Sequence, residues 1–391
     1  MPVPILSVRD LTVLYHDADN LQFKRALEGV SLDIYAGENF ALVGESGSGK
    51  TTFARAILGQ VSETPGVVRG EMTFATADGE WPLLRGSDEV WREESTYFAD
   101  RLIGERSRGA LRRWQTAVTE QMEDVRGRRI ALVTQDTGGT LNPYIAVGRQ
   151  IRDAMAAARE PGESDELNHM SDAGLGADPA QLRALAARYP SQLSGGQRQR
   201  VLIAMALASE PDMIIADEPT TGLDVLRRDE IIRLFERLVA GPGSAGGIGK
   251  TLLLITHDLE TARRLANRIG VLYAGRLVEL ASAGPDGFAL RHPYSQLLFG
   301  SYDNLEFRYV SPAPGRAMGP RCRGCRYRPQ CQLYAGHKMK DRKTESDVAL
   351  LRMCEDREPP LFAVSDRASS PLVRCWARVG RERWHESREE N

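Results

Sequence analysis

Residues 44–51 read GESGSGKT, and this stretch limits what the chain can fold into more than any other. An apolar run precedes it at positions 40–43, and a helix-like run follows at 52–58. A strand, a glycine-rich loop and a helix in this order form a phosphate-binding loop, because glycine lets backbone N–H groups approach phosphate oxygens and the helix N-terminus favours anions. The pattern predicts an α/β domain that binds a nucleoside triphosphate.

Individual side chains of this loop have expected tasks. Lys50 is placed to reach the terminal phosphates, and the Thr51 hydroxyl to ligate Mg²⁺. The expected nucleotide contacts are Gly44, Ser46, Gly47, Ser48, Gly49, Lys50, Thr51 and Thr52. A glycine-rich turn that matches by chance is the alternative, and the flanking strand and helix argue against it.

A second apolar run ends in two carboxylates. Residues 211–218 read PDMIIADE, which indicates a buried strand that carries Asp217 to the end of a sheet. Beside a phosphate-binding loop, Asp217 is suited to hold Mg²⁺, and Glu218 to orient and deprotonate the attacking water. A solvated strand end is the alternative for an Asp-Glu pair taken alone.

A third motif lies upstream of that pair. Residues 193–197 read LSGGQ and open a stretch with helical apolar spacing that continues to residue 209. Ser194 and the two glycines are therefore expected at a helix N-terminus, which is an anion site. Together with the phosphate-binding loop, this sequence resembles the signature motif of ATP-binding cassette (ABC) ATPases.

The resemblance implies a dimer. In that family the signature covers the γ-phosphate bound by the opposite subunit, so that two ATP molecules lie between two cassettes. The residues implied to act on the partner's ATP are Ser194, Gly195, Gly196, Gln197 and, in a later loop, Asp224. A chain with a single cassette therefore implies a second ATPase subunit.

Three further positions match the family. Tyr15 matches the aromatic residue that stacks on adenine, Gln135 the glutamine that senses Mg²⁺ and the attacking water, and His257 the histidine that contacts the γ-phosphate. An ordinary strand tyrosine and a structural histidine are the alternatives. The implied catalytic set is Glu218, His257, Gln135 and Lys50, and the implied Mg²⁺ ligands are Thr51, Gln135 and Asp217. Since all are present, we expect a site that hydrolyses ATP.

Several stretches resemble one branch of the family, the dipeptide, oligopeptide and nickel importer ATPases. They cover positions 135–143, 195–207, 216–225, 273–279 and 292–294. Such importers combine two different ATPase subunits, two membrane permeases and an external substrate-binding protein. The resemblance implies a subunit that energises peptide import by closing and reopening a heterodimer. Import of nickel or another small solute is the alternative within the branch.

Composition bears on partners and location. The chain of 391 residues has 51 basic and 53 acidic side chains, so the totals do not favour nucleic acid as a ligand. No apolar stretch approaches the roughly 20 residues that span a bilayer, and the N-terminus lacks the pattern of a secretory signal. We therefore expect the protein to stay in the cytosol, and the family resemblance implies a peripheral position on the cytoplasmic face of the inner membrane.

All five cysteines lie beyond residue 320, where arginines and prolines replace the apolar periodicity. In the importer branch a comparable tail carries four cysteines in the order of Cys325, Cys331, Cys354 and Cys375, and some members hold a four-iron, four-sulfur cluster there. Cys322, an alternative ligand, also forms with Cys325 the spacing of a zinc site. An iron–sulfur cluster, zinc and no metal all remain open.

These observations predict two domains. Residues 1–300 form an ABC-type P-loop ATPase domain with a RecA-like core, a helical signature subdomain near 135–200 and an N-terminal antiparallel β layer. Residues 301–391 form a small irregular domain that contains the cysteines. An insertion near 77–128 carries Trp81, Trp91, Tyr97 and Trp114 and shows helical apolar spacing at 102–122. It is either a surface decoration or a contact with the partner ATPase or a regulator.

Two other classes of function remain at the level of sequence. A soluble ABC ATPase that acts on nucleic acid or ribosomes usually has two cassettes or a long coiled-coil insertion, and the sequence shows neither. A scaffold subunit that binds ATP without hydrolysing it has no need of Glu218 and His257, which are both present.

Overall fold

The computed structural model describes residues 3–17, 22–61, 65–84, 116, 120–134, 137–156, 166–240, 249–303, 324–363 and 370–378. Two predicted site residues, Gln135 and Cys322, lie outside these ranges. Within them, no helix combines the length and the apolar character that crossing a membrane requires.

An antiparallel sheet forms the N-terminal layer, as predicted. Its strands are β1 (Pro4–Asp17), β2 (Gln22–Tyr35), β4 (Pro65–Thr76) and β5 (Gly79–Leu84), in the order β2-β1-β4-β5. Leu6 and Val8 of β1 are buried on one face, which is the alternation expected of a strand that packs on a core. A register shift around Asp10, whose φ is 50°, lets Leu11 and Val13 stay buried.

A second sheet carries the nucleotide-binding motifs. Its strands are β3 (Asn39–Val43), β6 (Ile130–Val133), β7 (Met213–Asp217), β8 (Thr251–Thr256), β9 (Arg268–Tyr273), β10 (Arg276–Gly284), β11 (Gly287–Phe288), β12 (Phe362–Ala363) and β13 (Leu372–Val373). Their order is β12-β13-β10-β9-β3-β8-β7-β6, with β11 paired to β10. The strands from β9 to β6 in this order are parallel. The carboxyl ends of β3, β7 and β8 therefore meet at one edge, where such sheets bind ligands.

The strand β3 lies between two hydrophobic cores, which explains its unbroken apolar sequence. Ala41 and Val43 pack into a core formed with the helices. Phe40 and Leu42 face the other way and pack into a core shared with the N-terminal sheet. Burial on both faces fixes the position of the loop that leaves this strand.

The helices divide into three groups along the chain. First comes α1 (Lys50–Ile57), directly after the phosphate-binding loop. Between β6 and β7 lie α2 (Thr137–Thr140), α3 (Val147–Met155), α4 (Glu166–Asp172), α5 (Pro179–Ala186) and α6 (Gly195–Ala208), which make up the predicted helical signature subdomain. The last group is α7 (Val225–Val239), α8 (Leu259–Leu265), α9 (Pro293–Asp303), α10 (Gln332–Met339) and α11 (Glu345–Asp356). Short 3-10 turns cover Pro190–Gln192, Arg328–Gln330 and Trp376–Arg378.

The described C-terminal residues form a small cysteine-bearing region beyond the cassette. Its elements are short, since α10 and α11 have 8 and 12 residues and β12 and β13 have 2 each. Thr344 and Asp347 start α11 with a reciprocal capping box, in which each side chain accepts the backbone N–H of the other. Strand β10 pairs antiparallel with β13, with Glu279 opposite Val373.

Only part of the predicted insertion near 77–128 is described. Strand β5 occupies its beginning, and the Arg129 guanidinium lies 3.7 Å above the centroid of the Trp81 ring. Met122 is fully buried. Residues 85–115 and 117–119, which include Trp91, Tyr97, Trp114 and most of the predicted amphipathic stretch, lie outside the described residues. The role of the insertion therefore stays a prediction.

Candidate functional site

The phosphate-binding loop connects β3 to α1 and touches neighbouring backbone closely. Gly44 and Gly49 have φ of 155° and 110°, which side chains rarely adopt. A Cβ at Gly44 would lie 2.3 Å from Leu272 O, and one at Gly49 would lie 2.5 Å from Ala26 O. Both the backbone conformation and the lack of space require glycine at these two positions.

The loop has the groups that an anion needs. Gly49 precedes α1 without a side-chain cap, so the first N–H groups of the helix are available to a ligand. Ser48 Oγ is buried, and it has no hydrogen-bond partner among the residues described. An uncapped helix start next to an unpaired buried hydroxyl fits a bound phosphate.

Lys50 is the first residue of α1, and its side chain folds back onto the loop. Its Nζ donates hydrogen bonds to Gly44 O at 2.8 Å and to Glu45 O at 3.0 Å. Burial lowers the pKa of this ammonium group, while the charges of Glu218 and Asp217 act in the opposite direction. The predicted phosphate-binding cation and the two predicted carboxylates thus share one electrostatic environment.

Two of the three predicted Mg²⁺ ligands are adjacent. The Thr51 hydroxyl donates to Asp217 Oδ1 at 3.3 Å. Burial raises the pKa of Asp217, and the hydrogen bond from Thr51 partly offsets this rise. A hydroxyl and a carboxylate suit Mg²⁺, which usually binds few protein oxygens together with substrate phosphates. Gln135, the third predicted ligand, lies outside the described residues.

Glu218 and His257 meet at the ends of β7 and β8. The imidazole Nδ1 of His257 lies 2.8 Å from Oε1 and 2.7 Å from Oε2 of Glu218. The Thr221 hydroxyl donates to Oε2 at 2.8 Å, and the Glu218 N–H donates to Ile255 O at 2.8 Å. Glu218 has a φ of 53°, a left-handed conformation that costs a non-glycine residue roughly 1–3 kcal/mol. These contacts hold the carboxylate in a single orientation.

Tyr15 reaches the helix that follows the loop. Its hydroxyl donates to Thr52 Oγ1 at 3.0 Å. This contact joins the N-terminal sheet to the start of α1, so the ring lies beside the phosphate-binding loop. Stacking of this ring on adenine stays a prediction.

The signature residues are held by contacts among themselves. Ser194 Oγ accepts the Gln197 N–H at 3.2 Å, and Gln197 Oε1 accepts the Ser194 N–H at 3.0 Å. Ser194 is exposed, and a Cβ at Gly195 would meet no atom within 4 Å. Asp224, which is also exposed, caps α7 by accepting the Arg227 N–H at 3.0 Å. Two of the groups predicted to act on a partner's nucleotide, Ser194 and Asp224, are therefore open to solvent.

One contact with the loop was not predicted. The Tyr294 hydroxyl accepts the Glu45 N–H at 3.1 Å. The sequence analysis used positions 292–294 only to assign the branch of the family. No periodicity or motif links residues this far apart in the chain, so only the fold reveals the contact.

Four of the five cysteines line one small cavity: Cys325, Cys331, Cys354 and Cys375. Burial raises the pKa of Cys354 to about 12 and that of Cys375 to about 11, so these thiols are protonated at neutral pH. Within the described part of the chain, no three His, Cys, Asp or Glu side chains are placed to hold a metal ion.

Comparison with known proteins finds relatives that are named as ATP-binding proteins of peptide transporters. A family model described as ABC transporter matches residues 27–221. A dipeptide transport ATP-binding protein of Bacillus subtilis is 32% identical, over 81% of this chain and 86% of the relative. An oligopeptide transport ATP-binding protein of the same organism is 31% identical, over 95% and 88%. A probable peptide ABC transporter ATP-binding protein of Sinorhizobium fredii is 35% identical, over 76% of each chain.

Proposed function

Because the chain belongs to the family of ABC transporter ATP-binding proteins, we propose that it energises the import of peptides through a membrane permease. It is an ATPase of the cassette type. The observation that carries the proposal is the Glu218 carboxylate, which His257 and Thr221 hold beside the phosphate-binding loop. The relatives whose names include dipeptide and oligopeptide transport support peptides as the cargo.

ATP binding uses the groups gathered at the end of β3. The N–H groups at the start of α1 and the Ser48 hydroxyl hold the phosphate oxygens, and Lys50 turns its ammonium group toward the terminal phosphates. Thr51 and Asp217 would hold Mg²⁺, which supplies positive charge to the β- and γ-phosphates. Tyr15 supplies a flat apolar surface for adenine.

Hydrolysis uses the pair at the ends of β7 and β8. The Glu218 carboxylate accepts a proton from the attacking water, whose oxygen forms a bond to the γ-phosphorus as the bond to the β-phosphate oxygen breaks. ADP and phosphate leave. His257 keeps the carboxylate oriented and reaches the γ-phosphate with its other ring nitrogen. The left-handed backbone of Glu218 keeps its side chain directed at this point.

The exposed signature implies that the site is completed by another subunit. Ser194 and the open backbone at Gly195 would bind the γ-phosphate on a second ATPase subunit, which the branch supplies as a different chain. Membrane permeases are the partners that a transporter ATPase requires, and an extracytoplasmic binding protein would deliver the peptide. The protein would then act as a peripheral subunit on the cytoplasmic face of the membrane.

The test is purification of the tagged chain from membranes with its partners, followed by reconstitution in liposomes. We expect two hydrophobic permeases and a second ATPase to copurify, and we expect ATP to drive uptake of a labelled dipeptide or pentapeptide. ATP-driven uptake of nickel without peptide uptake would show that nickel, and not a peptide, is the cargo. Copurification of RNA in place of permeases would contradict the transport function.

We also propose that Cys325, Cys331, Cys354 and Cys375 hold a four-iron, four-sulfur cluster. The supporting observation is that four thiols from separate segments line one cavity, although no three of the described side chains form a group placed to hold a single metal ion. A cluster keeps its four thiolates farther apart than one ion does, and its iron would favour the deprotonated thiols that burial alone disfavours. When bound, it would crosslink these segments.

Iron and acid-labile sulfide in an anaerobic preparation test this assignment. We expect a brown protein, and we expect the colour and the iron to disappear in Cys354→Ser. Cys322→Ser is the matched control and should keep both, because the family resemblance assigns the four ligands to the other cysteines. A colourless anaerobic protein without iron would overturn the assignment, and loss of iron in Cys322→Ser would change the ligand set.

A further inference from the structure

The Tyr294 hydroxyl reaches the backbone of the phosphate-binding loop from outside the loop. It accepts the Glu45 N–H at 3.1 Å, and the Tyr294 side chain is only 1% exposed. Glu45 lies between Gly44, where the loop leaves β3, and the residues whose N–H groups face the phosphates. A hydrogen bond to the Glu45 N–H therefore restrains the backbone where the chain enters the loop.

The ring of Tyr294 is held by other aromatic residues. Its centroid lies 4.7 Å from that of Tyr273 and 5.6 Å from that of Tyr327. Tyr327 meets Tyr273 edge-on at 5.3 Å. Tyr273 ends β9, next to β3, whereas Tyr327 comes from the C-terminal segment. Packing against Tyr273 and Tyr327 therefore fixes the direction of the Tyr294 hydroxyl.

The backbone of Tyr294 is tied to the main sheet. Glu279 of β10 accepts the N–H groups of Arg291 at 2.5 Å and of His292 at 3.1 Å. The Tyr294 N–H in turn donates to His292 Nδ1 at 3.1 Å. A rigid strand thus sets the position of the first turn of α9 and of the tyrosine on it.

The same loop peptide is also held from the other side. Lys50 Nζ donates to Gly44 O and Glu45 O. The ammonium group has three N–H donors, so a Lys50 that also binds the β- and γ-phosphates has fewer of them left for its own loop. The hydrogen bond from Glu45 to Tyr294 then contributes more to holding the entry of the loop in the ATP-bound protein than in the free protein.

We propose that Tyr294 is a positioning residue for ATP binding, because its hydroxyl holds the Glu45 amide and so keeps the neighbouring loop N–H groups in place for the phosphates. The inference rests on ATP binding at this loop and adds a residue that none of the motifs includes. Pre-organisation of this kind raises affinity without a contact to the ligand.

The test is Tyr294→Phe in the full chain, assembled with its partners. The variant keeps the ring and removes only the hydroxyl. We expect the Kd and the KM for ATP to rise roughly fivefold, which is the equivalent of one neutral hydrogen bond. The kcat should stay within about twofold, because Glu218 and His257 are untouched. Amide hydrogen exchange at Glu45 should become faster in the absence of nucleotide.

Tyr327→Phe is the matched control, because it alters the same aromatic packing without touching the bond to Glu45. It should leave the Kd and the exchange at Glu45 unchanged. A wild-type Kd in Tyr294→Phe, or a lower melting temperature with no change in Kd, would overturn the positioning role. A wild-type protein that does not bind ATP would overturn the proposed function instead, so the two failures are distinct.

Discussion

His257 Nδ1 lies within 2.8 Å of both carboxylate oxygens of Glu218, across the ends of two neighbouring parallel strands. Glu218 has a left-handed backbone conformation, and the His257 imidazole is half exposed. Thr221 holds the same carboxylate from its own loop. The proposed general base therefore has its orientation set before any substrate arrives, which is the condition for efficient proton transfer.

Replacing this carboxylate by an amide separates binding from hydrolysis. Glu218→Gln keeps the shape of the side chain and one acceptor oxygen, but its amide cannot accept a proton at neutral pH. We expect ATP affinity within about twofold of wild type and turnover lower by at least about 100-fold. Steady-state ATPase activity and nucleotide binding of the reconstituted transporter measure the two effects.

The exposed Glu71 on β4 provides the control for that experiment. Glu71→Gln removes a carboxylate far along the chain from the motif and should leave both quantities unchanged. Near-normal turnover in Glu218→Gln would exclude Glu218 as the base.

The Mg²⁺ requirement should depend on a single hydroxyl. Thr51→Ala removes the group that lies 3.3 Å from Asp217 Oδ1. We expect the Mg²⁺ concentration for half-maximal activity to rise roughly tenfold or more, as measured by titration at fixed ATP. Thr51→Ser retains the hydroxyl and should stay close to wild type. Equal effects of the two substitutions would show that the methyl group, and not the hydroxyl, is what matters.

The C-terminal segment should be attached to the cassette by a partly buried arginine, Arg326. Arg326 pairs with Glu28 and donates its backbone N–H to Glu358, while its own side chain is 19% exposed. Burial raises the pKa of Glu358. Because Arg326→Ala leaves the partly buried carboxylates with less compensation, although Arg276 still pairs with Glu28, we expect the free energy of unfolding to fall by about 2 kcal/mol in urea titrations.

An exposed ion pair serves as the comparison for Arg326. Arg9 lies 2.7 Å from Asp33, but its side chain is half exposed. Arg9→Ala should cost less than about 1 kcal/mol. A loss at Arg326 no larger than the loss at Arg9 would show that the buried pair does not stabilise the attachment.

Stability should fall in mild acid because of His292. Burial, and next the charge of Arg374, lower its pKa to about 3, and its Nδ1 already accepts the Tyr294 N–H. An unfolded histidine binds a proton near pH 6.5, so the unfolded state takes up more protons and the free energy of unfolding falls as the pH drops from about 6.5 toward 3. At pH 5 this loss is about 2 kcal/mol.

A variant without a titrating ring isolates that effect. His292→Asn keeps an oxygen acceptor for the Tyr294 N–H and removes the ionisable group. Arg378 and Glu279, whose pKa burial raises, face the same region in the wild type and in the variant. Their effect on stability is therefore common to both proteins, and the difference between the two pH profiles reports the titration of His292. Parallel profiles between pH 7 and pH 5 would contradict the prediction.

The sequence predicted those parts of the site that belong to local patterns. The loop at 44–51, the strand that ends at Asp217 and the helix that begins after Ser194 each depend on neighbours in sequence, so spacing identified them. The N-terminal antiparallel layer and the mixed α/β core were predicted from the family resemblance, and both were confirmed.

Features that depend on distant contacts were not accessible in this way. The bond between Tyr294 and Glu45 joins α9 to the loop after β3, and no local pattern encodes it. The left-handed backbone of Glu218 follows from its bond to Ile255 on another strand. Helix α11 is different, since the sequence from Thr344 to Asp347 contains a capping signal that the sequence analysis overlooked.

The pairing of β13 with β10 also affects how the chain behaves among its own copies. An end strand with unpaired backbone groups recruits other chains and starts aggregation. Here β13 pairs with Glu279 and Leu280 of β10, and the sheet ends at β12 with a strand of only 2 residues. A chain cut before residue 362 would leave these backbone groups in the apolar part of β10 without their partners, and we expect it to precipitate at concentrations where the intact protein stays in solution.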